Sequence, residues 1–253
     1  MNTSAVSLYL PGHSPVHRLA ADVKVVAAMV AVVAVVATPR EMIWPYLVYA
    51  ALLVSVWSLA RIPLRWIAPR MLIEVPFVVL AVLLPFAGAA PYTDVLGMTL
   101  STPGLWAAWG IVAKGTLGVG TSLTLAATMH IRELPGALTR LRVPGMIVTI
   151  LVLMLRYIDL LVDEASRMRL ARVSRGDDPR ALWQAGATAR GAGALFLRAY
   201  ERGERVHLAM LSRGYDGAVP TYGSLRPGAA AWLRGLAPAL VAVLICVVAW
   251  ATR

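Results

Sequence analysis

Uncharged apolar runs recur along the chain at lengths a bilayer can use, since crossing about 30 Å of hydrocarbon takes roughly 20 helical residues. Val25–Ala37 is the shortest and is extended backwards by Leu19–Lys24. Met42–Ala60 is free of charge, with Trp44 and Tyr46 at one end and Trp57 near the other, as aromatic residues sit at membrane interfaces. Met71–Ala90 carries Glu74 one turn in, Leu105–Met129 carries Lys114, and Gly235–Thr252 closes the series. The runs are rich in Ala and Leu and lack sustained period-two alternation, so they predict helices and no strands. The expected fold is an all-α integral membrane protein with about five transmembrane helices plus long helices outside the bilayer.

Between the fourth run and the last the pattern changes. Residues Arg132–Arg234 hold 16 of the 24 basic and 9 of the 13 acidic residues. The expected organisation is therefore a four-helix transmembrane region over 1–130, a cytoplasmic or interfacial domain over 131–233 and a C-terminal transmembrane helix over 234–253. Basic residues favour the cytoplasmic side of short loops. Arg61, Arg65 and Arg70 place the loop after the second run inside, whereas Thr38–Glu41 and Pro91–Pro103 carry almost no basic charge and read as external. Val143–Val162 is a further apolar run, containing Arg156 and Asp159. It is preceded by Arg132, Arg140 and Arg142 and followed by Arg167, Arg169, Arg172 and Arg175, so both flanks favour the cytoplasm. One crossing cannot satisfy that, and the run reads as a long amphipathic helix with a stripe at Ile147, Leu151, Met154, Ile158, Leu161, Ala165 and Met168. The alternative is a sixth span with the Arg-rich region outside.

Composition sharpens this reading. Hydrophobic residues make up 59% and charged ones 15% of the 253 positions, against roughly 45–50% and about 25% in ordinary soluble domains. Disorder is excluded and a soluble globule disfavoured. The net charge of +11 fits nucleic acid, anionic lipid or an acidic partner, but no nucleic-acid reading motif accompanies it. The single cysteine, Cys246, lies in an apolar run and reads as a small hydrophobe. Met1–Ser14 lacks the charged start and cleavage site of a signal peptide, so no leader is expected.

The basic region contains a repeat. Residues Arg167–Asp178 and Arg205–Asp216, 38 positions apart, share R-x-x-L-A-x-x-S-R-G-x-D. The spacing is helical, and each helix is expected to end at its glycine, Gly176 or Gly214, the residue suited to a left-handed C-terminal position. An Arg in a last turn complements the helix dipole by about 0.3–1 kcal/mol. That explains an Arg near each end and leaves the duplicated Ser-Arg-Gly unexplained. A guanidinium presents five donors in a rigid fork suited to carboxylates or carbonyls in a groove. Two identical tips, Ser174-Arg175-Gly176 and Ser212-Arg213-Gly214, point to two similar partner subunits. Pairing within the chain is the other option, but acidic residues are scarce and some have helical neighbours, such as Glu201 with Arg205 at i,i+4.

These residues resemble the transmembrane T component of energy-coupling factor (ECF) transporters over nearly the whole chain. The likeness runs from Ser14-Pro-Val-His17-Arg18-Leu19 through Arg70–Phe77, Leu84-Pro85-Phe86 and Val143-Pro144. It is strongest in Leu197–Gly217, which is most similar to the cobalt-type, CbiQ-like members. The resemblance implies a multi-pass subunit of a bacterial cell membrane, embedded in the lipid bilayer, whose cytoplasmic coupling helices end in short X-Arg-X motifs. Those motifs would dock into grooves of two ATP-binding cassette ATPase subunits. Ser174, Arg175, Gly176, Ser212, Arg213 and Gly214 match them, with Ser where the family more usually has Ala. It further implies a substrate-binding membrane (S) subunit as partner and cobalt as cargo, with nickel, biotin or another vitamin as alternatives.

No G-x-x-x-x-G-K-[ST] phosphate loop occurs, since Gly115–Gly120 lacks the following Lys-Ser/Thr pair, so ATP hydrolysis is expected in partner subunits and no catalytic residue in this chain. No cofactor or metal site is expected: His13, His17, His130 and His207 are scattered, and the ten Met do not cluster. Glu74 is near the cytoplasmic end with Arg70 as an i,i+4 partner, while Lys114 lies deeper and either snorkels or faces the substrate-binding subunit. An integral membrane lipid-modifying enzyme is the distant alternative, with Asp163, Glu164, Asp177 and Asp178 as its nearest carboxylate set.

Overall fold

The first apolar run folds as α1, Ala21–Ala37, with Asp22 in its positive first turn. α2, Trp44–Ala60, starts on Pro45, whose missing N–H costs nothing there, and ends at Arg61 in a left-handed conformation (φ 55°). The computed structural model describes residues 8–87, 91–95, 98–176, 185–217 and 227–252.

The third run departs from expectation. Helical structure begins earlier, as α3 (Leu64–Ile67), passes through a 3₁₀ stretch over Ala68–Glu74, and continues as α4 (Val75–Ala87). Pro69 and Pro76 cannot donate to the ladder and interrupt regular α-helix on both sides of this stretch. Residues 88–90, the end of the expected run, lie outside the described residues. A second correction concerns strands. Tyr92–Val95 (β1) and Met98–Ser101 (β2) pair antiparallel, with Tyr92 opposite Ser101. Each has only four residues, too short for alternation to register.

α5, Thr102–Thr128, is capped by the Ser101 side chain, which accepts from the Gly104 N–H at 3.2 Å. It lies against α1, α2 and α4. Gly104 is required by α4, because a Cβ there would sit 2.7 Å from the Leu84 carbonyl oxygen. Gly115–Gly120 lies inside this helix rather than in a phosphate-cradling loop. After a short turn and α6 (Leu134–Arg140) come two long helices, α7 (Gly145–Val173) and α8 (Ala185–Leu211), then α9 (Ala229–Ala251).

The chain divides into two units, one of Val6–Ala137 with Leu225–Arg253 and one of Leu138–Ser224. In the first, α1, α2, α5 and α9 enclose a core of Ala34, Val35, Tyr46, Tyr49, Ala113, Leu117, Ala242 and Ile245, with Cys246 half-buried against it. α1 and α9 pack closely enough that a Cβ at Gly235 would collide with the Val23 side chain. Large apolar side chains such as Phe77, Val82 and Phe86 stay exposed, a surface made for hydrocarbon. Leu64–Ala87, Gly145–Val173 and Ala229–Ala251 are long and apolar enough to cross a membrane.

The ionisable groups of this unit take positions their sequence neighbours do not reveal. Glu74 is buried and makes no ion pair with Arg70; the Thr116 hydroxyl reaches its carboxylate oxygens at 3.0 Å. Arg70 donates to the Trp66 carbonyl at 2.6 Å and stacks on that indole. Lys114 donates to the Val36 carbonyl at 2.7 Å. Lys24 is buried and donates to the His17 and Thr128 carbonyls at 2.9 and 2.7 Å. His17 reaches the Leu10 carbonyl through Nε2 at 3.0 Å; a carbonyl only accepts, so Nε2 carries hydrogen and Nδ1 is left for the Ser14 hydroxyl at 2.7 Å.

Candidate coupling site

Leu138–Ser224 is built on α7 and α8, which run antiparallel. Arg172 near the end of α7 meets Thr188 near the start of α8 at 3.0 Å, and Glu164 meets Arg198 further along. The predicted stripe on α7 is only partly the packed one. Ile147, Met154 and Ile158 are exposed, whereas the face meeting α8 includes Leu161, Glu164 and Arg172.

Both helices end on a glycine in the left-handed conformation. On α8 the Ser212 N–H bonds to the Leu208 carbonyl, Gly214 N–H to Leu211 and Tyr215 N–H to Met210, each at 3.0 Å. The last two are the paired bonds of a Schellman motif, which needs a left-handed residue between them. Gly214 supplies it at φ 83° and Gly176 at φ 88°. On α7 the Ser174 N–H bonds to Leu170 and Gly176 N–H to Val173, both at 3.0 Å. Each serine hydroxyl also donates to its last turn, Ser174 to Leu170 at 2.7 Å and Ser212 to Ala209 at 3.1 Å.

Each arginine is thereby held at the last position before the chain turns away. Arg175 and Arg213 are exposed, and neither guanidinium has a partner among the described residues. Asp177 and Asp178, the end of the first repeat copy, lie outside the described residues. Because α7 and α8 are antiparallel, the tips sit at opposite ends of the pair. The 27 residues of α8 separate them by roughly 40 Å at 1.5 Å per residue.

Glu164 clasps the two helices. It accepts from Arg167 at 2.7 Å on its own helix and from Arg198 at 2.5 Å on α8. Glu201 closes no pair with Arg205 among the described residues. The hydrogen bonds from Arg167 and Arg198 hold the Glu164 carboxyl below the ordinary carboxylate range. A depressed value stabilises the pairing above the unfolded-state pKa of about 4.3 and stops doing so as pH falls through the folded value. Hydrogen exchange of the α8 amides around Arg198, corrected for intrinsic rates, should be flat between about pH 7 and pH 5 and show loss of protection below about pH 4. Glu164→Gln should flatten that acid limb.

Of the proposed carboxylate set, Glu164 is thus occupied by two arginines. No group of three or more His, Cys, Asp or Glu side chains suited to a metal is found among the described residues. Sequence reasoning missed the Glu164–Arg198 clasp, which joins residues 34 positions apart. It also missed the Ser14–His17–Lys24 knot, for which a lysine at the head of an apolar run was the available signal.

The helical bundle with its lipid-facing apolar surface defines a multi-pass membrane protein. The family model of CbiQ, cobalt transport protein, matches residues 12–222, and the chain belongs to this family. It is 29% identical over 200 residues to the cobalt transport protein CbiQ of Rhodobacter capsulatus, covering 79% of this chain and 80% of that protein. Two uncharacterized proteins of Methanocaldococcus jannaschii are 34% identical over 102 residues (40% of this chain) and 30% identical over 171 residues (64% of this chain). The matches span 38% and 58% of the lengths of those two proteins.

Proposed function

We propose that this chain is the membrane-embedded scaffold and coupling subunit of an ECF-type importer for cobalt ions. It performs no hydrolysis itself and transmits the ATP-driven motion of two ATP-binding cassette subunits to a substrate-binding membrane subunit. The observation that carries this reading is the pair of equivalent, exposed arginine tips at opposite ends of one antiparallel helix pair. A separation of roughly 40 Å suits two separate partners better than two contacts on one small groove.

In this reading α7 and α8 form the cytoplasmic coupling domain. α7 is long and apolar enough to span, but arginines at both of its flanks favour one side of the membrane. Ser174-Arg175-Gly176 enters a groove of one ATPase subunit and Ser212-Arg213-Gly214 that of the other. Serine is small enough to enter with the arginine, and the glycine lets the chain leave at a sharp angle. When ATP draws the ATPase subunits together the tips move with them, and the Glu164 clasp makes α7 and α8 move as one antiparallel pair. Cobalt as cargo rests on the family and on the name of the Rhodobacter capsulatus relative.

The test is purification of the tagged chain from its native membranes, followed by uptake of radioactive cobalt in proteoliposomes of the recovered complex. Two ATPase copies, one dedicated membrane subunit and ATP-dependent cobalt uptake are expected. Recovery with an array of vitamin-binding membrane subunits, or uptake of nickel or biotin in place of cobalt, would overturn the cargo assignment.

A further inference from the structure

Within the unit of Val6–Ala137 and Leu225–Arg253, α1 lies on α9 and α5, and α2 lies on α5 and α9, but α1 and α2 do not form a closely packed pair with each other. A cavity of about 910 Å³ lies between them. Its walls are apolar: Ala27 and Ala31 of α1, Leu52, Val56 and Leu59 of α2, and Leu125 of α5. The hydroxyls that line it are spent on their own helices, Ser55 on Leu52, Thr121 on Leu117, Thr124 on Gly120 and Thr128 on Thr124. Lys24 is likewise engaged by two carbonyls. Besides two arginines at the mouth, His13, which is exposed, is the one other polar side chain among the described lining residues.

The mouth is different. Arg18, just before α1, and Arg234, in the first turns of α9, both line the cavity and are exposed. Among the described residues neither has an ion-pair or hydrogen-bond partner and no carboxylate lines the cavity. Two free guanidiniums over an apolar slot select an amphiphile with an anionic head and a long hydrocarbon tail. Basic pockets between membrane helices recognise phospholipid head groups in this way, and the volume lies within the range of ligand clefts. A soluble anion would leave the walls unfilled.

We infer that this cavity is a binding site for one anionic membrane phospholipid, its phosphate between Arg18 and Arg234 and an acyl chain along Ala27, Ala31 and Leu59. The lipid fills the gap between α1 and α2 and ties the start of α9 to the segment before α1.

The full-length chain, solubilised in neutral detergent with equal amounts of phosphatidylglycerol and phosphatidylcholine, tests this by native mass spectrometry of the retained lipid. The wild type should retain one phosphatidylglycerol in preference to phosphatidylcholine. Arg18→Gln with Arg234→Gln should cut that preference by about 25-fold, roughly fivefold for each basic residue. Ala31→Trp, which fills the slot and leaves the charges, should lower retention of either lipid. Arg61→Gln with Arg65→Gln, which removes two arginines that do not line the cavity, should change nothing. Absence of a preference in the wild type, or an equal loss in the Arg61 and Arg65 variant, would overturn the site. So would expulsion of the lipid by an added partner membrane subunit, since a protein helix would then be the occupant.

Discussion

Arg175→Ala combined with Arg213→Ala is expected to abolish ATP-driven uptake and to release the ATPase subunits from the purified complex, while the bundle stays folded. An arginine anchored in a partner groove commonly contributes about 2 kcal/mol or more to binding, or roughly 30-fold in affinity. Two independent tips some 40 Å apart should therefore lose roughly a thousandfold together. Folding should be spared because both guanidiniums are exposed and make no hydrogen bond or ion pair among the described residues. Each single variant should be impaired and each Lys replacement nearly as much, because an ammonium keeps the charge but loses the planar fork. Sedimentation of the complex and uptake in proteoliposomes measure both effects. Normal uptake by the double alanine variant would sink the joint.

Lys24→Met is expected to cause a large loss of stability. The Lys24 ammonium donates to the Thr128 carbonyl at the end of α5 and to the His17 carbonyl before α1. Methionine fills similar space but leaves the buried Thr128 oxygen and the half-buried His17 oxygen without that donor. A hydrogen bond to a charged group is worth about 1.5–3 kcal/mol, and an orphaned buried acceptor costs comparably. Allowing for the desolvation that the lysine no longer suffers, the net loss is about 2–4 kcal/mol, read as a fall of roughly 5–10 °C in the apparent Tm in detergent. Lys114→Met should lose less, since Lys114 is only half-buried and serves the single Val36 carbonyl. Equal Tm values for Lys24→Met and wild type would show that the knot carries no load.

The helices that pack in the bundle were legible because hydrophobic runs of spanning length leave few alternatives. α1, α2, α5 and α9 fall within a few residues of the runs that predict them, apart from the six residues by which α9 starts early. The third run is helical and long enough to span, but its start falls seven residues early and its prolines put a 3₁₀ stretch inside it. The Arg70–Glu74 pairing does not form, because i,i+4 contacts assume 3.6 residues per turn, whereas the 3₁₀ stretch over Ala68–Glu74 turns every three and carries the two side chains apart. Glu201 and Arg205 do lie on an α-helix, but an exposed pair of that kind gains only about 0.3–0.5 kcal/mol and need not close. The tips were legible as a repeat, since each glycine marks a left-handed position that few other residues tolerate. Their placement at opposite ends of one helix pair was not, because it follows from the antiparallel run of α7 and α8 and the clasp between Glu164 and Arg198.

Site-directed cross-linking tests the coupling joint most directly, and the sequence makes it simple. Cys246 is the only cysteine, so Cys246→Ser gives a background in which Ser174→Cys or Ser212→Cys places one thiol beside one arginine tip. A photoactivatable thiol reagent on either position, illuminated in native membranes, should attach an ATP-binding cassette subunit from both tips. Adducts formed only with an integral membrane protein or with lipid, or an ATPase adduct from neither tip, would contradict the account.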